Sequence, residues 1–119
     1  METQRTRNQE IAEIIGQQMG GLRRLHVFTG AHSFTAINNG LMFRIPGKGF
    51  AKDSINLVTV TLTPMDEYIM TFSRVRGGTV KEIRRYEGVY CDMLMDLFEE
   101  ATGLYLSFNS RTSVVVPND

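Results

Sequence analysis

SFTAINNGLMFRI, residues 33–45, decides how the rest of the chain is read. Two runs with period-2 patterning, Ser33 to Ile37 and Leu41 to Ile45, flank Asn38, Asn39 and Gly40. Asn-Gly readily adopts the positive φ angles of a tight hairpin, so the stretch predicts two antiparallel strands. In the second arm Leu41, Phe43 and Ile45 fall on one face, and Met42 and Arg44 on the other. Pro46 has no N–H to give a neighbouring strand and ends the run.

Working toward the N-terminus, Leu25 to Thr29 alternates and is expected as a short strand. Residues 8–19 carry Ile11, Ile14, Ile15 and Met19 at helical spacing, with Asn8 as cap, Glu10 in the first turn and Gly20-Gly21 as the stop. Working toward the C-terminus, PGKGFAKDS at 46–54 reads as a basic loop. A strand from Ile55 to Thr63 follows, with Val58, Val60 and Leu62 facing one way. TPMDE makes a turn, Tyr68 to Arg76 a strand, Gly77-Gly78 a second hairpin turn, and Thr79 to Tyr86 the last strand. Residues 89–102 form an amphipathic helix: Val89, Met93, Leu94, Leu97, Phe98 and Ala101 apolar, Asp92, Asp96, Glu99 and Glu100 wet, Gly103 the stop.

The expected fold class is α+β: an antiparallel β-meander of about five strands, with N- and C-terminal helices on one face. The uncovered face is then polar, with Arg44, Thr59, Thr61, Thr71 and Ser73. Residues 1–108 are expected to form a single domain. Residues 109–119 are read as a flexible tail or, through Val114 to Val116, a weak edge strand.

The length fits one domain that buries about two thirds of its unfolded surface, enough for a core without staples. One cysteine, Cys91, excludes an internal disulfide and a cysteine-built zinc site. No apolar run reaches a bilayer span of ~18 residues, so no membrane partner is expected, and METQRTRNQE lacks the apolar stretch of a signal peptide. The expected location is the cytoplasm of whatever cell makes the chain. Net charge is zero, yet residues 23–85 carry ten Lys/Arg against four Asp/Glu, and residues 86–119 one against six. This segregation reads first as each strand and helix having its own solvated face, and second as a bipolar surface.

Catalytic patterns are weak. Cys91 falls in the first turn of the expected second helix, where a thiol pKa can be lowered, and His26 and His32 are available as partners, but no spacing joins them. The histidines have no ligating relation, and Asp66-Glu67 and Glu99-Glu100 read as solubility pairs. The chain is read as a non-enzyme, with no metal and no cofactor.

The basic clusters are the positive signal. RVRGG and KEIRR lie on adjacent strands joined by a tight turn, which gathers Arg74, Arg76, Lys81, Arg84 and Arg85 at one end of the sheet. The loop 46–54 reads first as an ordinary solvated loop; in the binding reading Lys48, Lys52 and an exposed Phe50 join the cluster from it, the cations for phosphates and the ring to stack on a base. The competing arrangement pairs these arginines with Asp92, Asp96, Glu99 and Glu100. Seven methionines suggest core filling or an adaptable surface.

Five segments, FTGAHSF at 28–34, GLMFRIP at 40–46, VTLTPMDEY at 60–68, FSRVRGG at 72–78 and GVYCDMLMDLFEEATGLYLS at 88–107, resemble a family of small uncharacterised proteins of bacteriophages and other mobile elements. The resemblance covers roughly two thirds of the chain and implies a context in which small proteins act by binding. The expected function is a non-enzymatic accessory protein, nucleic-acid-associated or modulating host defence through a host protein. The alternative is a homo-oligomer that sequesters a small ligand such as a nucleotide in an interface pocket lined by Tyr68, Tyr86 or Tyr90.

Overall fold

The computed structural model describes residues 2–106, and the side chains from residue 6 onward. Two helices, α1 (Glu2–Gln18) and α2 (Leu22–Thr29), lead into five strands and a closing helix. The strands are β1 (His32–Ile37), β2 (Gly40–Arg44), β3 (Leu57–Leu62), β4 (Tyr68–Arg76) and β5 (Thr79–Val89), and the last helix is α3 (Leu94–Thr102). They form one antiparallel sheet in the order β1-β2-β3-β4-β5, the meander expected from the alternating patterns.

The core is the face built from Leu41, Phe43, Val58, Val60, Met70 and Phe72, which oppose one another across neighbouring strands. From α1, Ala12, Ile15 and Met19 close over it. Phe98 of α3 lies 6.1 Å from Phe43 and 6.3 Å from Phe72, ring centre to ring centre. Both terminal helices therefore cover the same face. Ile14, expected on the buried stripe of α1, is 48 % exposed.

The segment expected as a first strand, Leu25 to Thr29, is helix instead. Its alternation is coincidental: Leu25 and Thr29, four apart, are the buried pair, and Val27 between them is 63 % exposed. The Thr29 hydroxyl donates back to the Leu25 carbonyl, and Gly30 caps the helix in the left-handed region at φ 77°. The β-branched and aromatic residues in LHVFT mimic a strand, while the glycines on either side leave room for two turns of helix.

The 33–45 hairpin is present, but its turn is shifted. Ile37 pairs with Gly40, so Asn38 and Asn39 make the turn and Asn39 carries the positive φ of 58°. Gly40 is instead the first residue of β2, where any Cβ would run into the Val60 carbonyl oxygen. Its smallness serves strand pairing.

The expected 89–102 helix also starts later. β5 runs on to Val89 by bulging at Gly88, φ 66°, which keeps Val89 opposite Tyr68 and buried. Cys91–Met93 is a short 3-10 turn before α3. On the uncovered face Arg44, Thr59, Thr61 and Thr71 are half-buried, Ser73 is buried, and Met42, Leu57 and Ile69 interleave with them. That face is mixed rather than uniformly polar. Residues 107–119, including the expected edge strand at Val114 to Val116, lie outside the described residues. Among the described residues no helix is long and apolar enough to cross a membrane.

Candidate nucleic-acid interface

The longest strands, β4 and β5, run beyond the rest of the sheet. β3 begins at Leu57, opposite Ser73, so the three β4 residues after Ser73 have only β5 beside them as a strand. Gly77 and Gly78, both at positive φ (57° and 83°), close the ribbon with the backbone of a type I′ turn. Residues 76–82 are exposed. A side chain steadies the root. Asn56, just before β3, accepts from the Val75 N–H (2.8 Å) and donates its amide to the Val75 carbonyl (3.0 Å), as a neighbouring strand would.

The register sorts the cations. Arg74 opposes Lys81, Arg76 opposes Thr79, and Arg84 opposes the core residue Phe72. Strand alternation puts Arg74, Arg76, Lys81 and Arg84 on one face of the ribbon, the helix side. Val75 and Val80 oppose each other on the other face, with Val80 60 % exposed. Arg85 is separated from this group. It opposes Thr71, and its guanidinium donates to Glu87 at 2.6 Å and lies 3.8 Å from Glu82. These acids raise the Arg85 pKa further, its hydrogen bond to Glu87 foremost. An extra β5 residue between the pairs Phe72–Arg84 and Ser73–Glu82 produces the split. A plain alternation read from sequence misses it.

The loop is divided too. Arg74 Nη1 donates to the Asp53 carbonyl (3.1 Å), tying the 46–54 loop to the ribbon root on the helix side. Lys48 is exposed, and Phe50 stands 70 % exposed three residues before Asp53. Lys52 turns away. Its Nζ donates to the Glu100 carbonyl (3.0 Å) and its stem lies against Gly103, so it serves the carboxyl end of α3. Among the described residues the ion pairs are those of Arg85, and the acids of α3 do not take up Arg74, Arg76, Lys81 or Arg84. The register thus brings together Arg74, Arg76, Lys81 and Arg84 and leaves out Arg85 and Lys52, while Lys48 and Phe50 stand exposed on the loop that Arg74 holds at Asp53. Sequence reasoning misses Asn56 because a single asparagine before a strand carries no pattern.

The other candidate groups scatter. His26 is on α2, its Nδ1 2.9 Å from the Ala31 carbonyl, and not in a strand; His32 Nδ1 is 2.9 Å from Ser33 Oγ. Cys91 is exposed in the 3-10 turn and not in the first turn of an α-helix. Among the described residues no three of His, Cys, Asp and Glu gather as a metal site. Tyr68 is buried and donates to Gln18 Oε1 (2.7 Å), Tyr86 packs edge-on to Phe72, and Tyr90 reaches Glu67. A cavity of about 250 Å³ between α1, α2 and β1 is lined by Ala12, Leu22, Phe34 and Leu41, and another of about 270 Å³ by Arg7, Asn39, Thr63 and Asp66. None of the three tyrosines lines either.

No protein-family model, curated protein or solved structure matches the chain.

Proposed function

We propose that this chain is a non-enzymatic nucleic-acid-binding protein that uses the β4–β5 ribbon as its contact surface. The observation that carries this reading is the face-to-face placement of Arg74 and Lys81 on an exposed ribbon, with Arg76 and Arg84 on the same face. Like charges directly opposed across a pair of strands cost stability, and no acid among the described residues pairs with them. Such a face gains when a polyanion lies on it, because phosphates neutralise the cations and release counterions. The setting that goes with this reading is the cytoplasm of a bacterial host, as an accessory protein of a phage or mobile element.

The test is a salt titration against DNA and RNA. Neutralising four phosphates gives a slope of about −3 to −4 in log affinity against log salt, and Arg76→Glu with Arg84→Glu reduces both slope and affinity. Weak binding to every nucleic acid at low salt, with retention of an acidic host protein through the same residues, would favour defence modulation instead.

A further inference from the structure

Resting on the reading just given, we infer that the ligand is a single-stranded nucleic acid and that Phe50 is the platform on which one of its bases stacks. The cationic face is one ribbon wide. Its two strands lie about 4.8 Å apart, and alternate residues such as Arg74 and Arg76 follow each other at about 6.7 Å, a strip that suits one phosphodiester backbone. What selects a single strand is the ring that accompanies the cations: a base can stack on a side chain only when it is unpaired or splayed out, as in single strands.

Phe50 supplies what a phosphate strip lacks. It is 70 % exposed and lies outside the core cluster, so most of it stays in water. Its loop is bonded to the ribbon root through Arg74 and Asp53, on the helix side that also carries the cations. An aromatic ring beside a cationic track is the arrangement by which single strands are held without sequence preference, because every base offers a π face. Lys48, two residues from Phe50, adds charge beside it.

The chain has no tryptophan, so Phe50→Trp places a single indole at the site. The probes are oligothymidylate, an abasic oligonucleotide of equal length, and a mixed-sequence DNA duplex. Expected results are quenching of the indole emission of this variant by oligothymidylate and none by the abasic strand. The abasic strand and the Phe50→Ala variant should each show affinity roughly tenfold or more weaker. Phe50→Tyr should keep most of the binding. Equal affinity for abasic and normal strands, unquenched emission, or tighter binding to the duplex overturns the inference while leaving a nucleic-acid role standing. Failure of all three probes to bind overturns both.

Discussion

Arg74 and Lys81 face each other across the β4–β5 ribbon, two cations in directly opposed positions of adjacent strands. Such a pair lowers stability by several tenths of a kcal/mol relative to a neutral one. Lys81→Glu turns it into an attractive pair. The expected outcome is a rise in unfolding free energy of about 0.2–1 kcal/mol together with weaker nucleic-acid binding. Urea unfolding and fluorescence anisotropy on the same preparation measure the two effects, and a variant that loses both stability and binding contradicts the account of the ribbon.

Asn56 is the second point of control. It is half-buried and exchanges two hydrogen bonds with Val75, while its own carbonyl accepts from Ile45 and its N–H donates to Ser73. Asn56→Ala leaves the Val75 N–H and carbonyl without these partners. The expected cost is about 1–3 kcal/mol, with faster hydrogen exchange at Val75 than at Val58 or Val60 in the sheet centre. Uniform acceleration through the sheet would show that Asn56 supports the whole fold rather than the ribbon root.

Gly40 is predicted to tolerate no larger residue. A Cβ there meets the Val60 carbonyl oxygen, backbone that cannot move without opening the β2–β3 pairing. Gly40→Ala is expected to destabilise by about 3 kcal/mol or more, at or beyond the upper end for overpacking. Gly49→Ala, at φ 82° with open space around it, is expected to cost much less, through backbone strain alone. Thermal unfolding of the two variants side by side checks the ordering.

The sheet was legible because β2, β3 and β4 bury alternate residues, which writes a period of 2 into the sequence at Leu41–Phe43, Val58–Val60 and Met70–Phe72. The segment 22–29 was not. Two turns of helix bury only Leu25 and Thr29, too few to establish a period against the β-forming character of His26, Val27 and Phe28. For the site, the gathering of cations was legible from the Gly77-Gly78 turn. Their division was not, since the β5 bulge that puts Arg85 beside Glu82 and Glu87 adds one residue without a local mark. The destination of Lys52 depends on α3, 48 residues away in sequence at Glu100.

Tyr68 gives a pH signature. Burial, reinforced by the nearby Cys91 and Asp66, holds its phenol above the ordinary value of 10.0. As pH rises past 10.0 the unfolded chain gives up this proton first, while the folded chain keeps it. The folded state then binds more protons, so stability falls with rising pH until the folded phenol ionises as well. Tyr68→Phe should remove part of this alkaline decline. Denaturant midpoints of both proteins from about pH 9 to about pH 11 should converge at the alkaline end. Parallel curves would mean that Tyr68 ionises alike in both states.

The two loop lysines are expected to separate by function. Lys52 donates to the Glu100 carbonyl and packs on Gly103, placing a cation at the negative end of α3, where such charges contribute about 0.3–1 kcal/mol. Gly103 sits at φ 76° and caps the helix through its N–H to the Glu99 carbonyl, so Lys52 completes an end already closed by backbone. Lys52→Ala should therefore lower stability by that amount and leave nucleic-acid affinity within about twofold. Its salt slope should stay unchanged, because no phosphate contact is lost. Lys48 is exposed beside Phe50. Lys48→Ala should do the reverse: unfolding unchanged within about 0.5 kcal/mol, as for other surface sites, and a salt slope smaller by about one. Chemical denaturation and salt titrations of both variants resolve the matter. If Lys52→Ala loses binding as steeply as Lys48→Ala, the lysine leaves α3 for the ligand, and the whole loop belongs to the binding face.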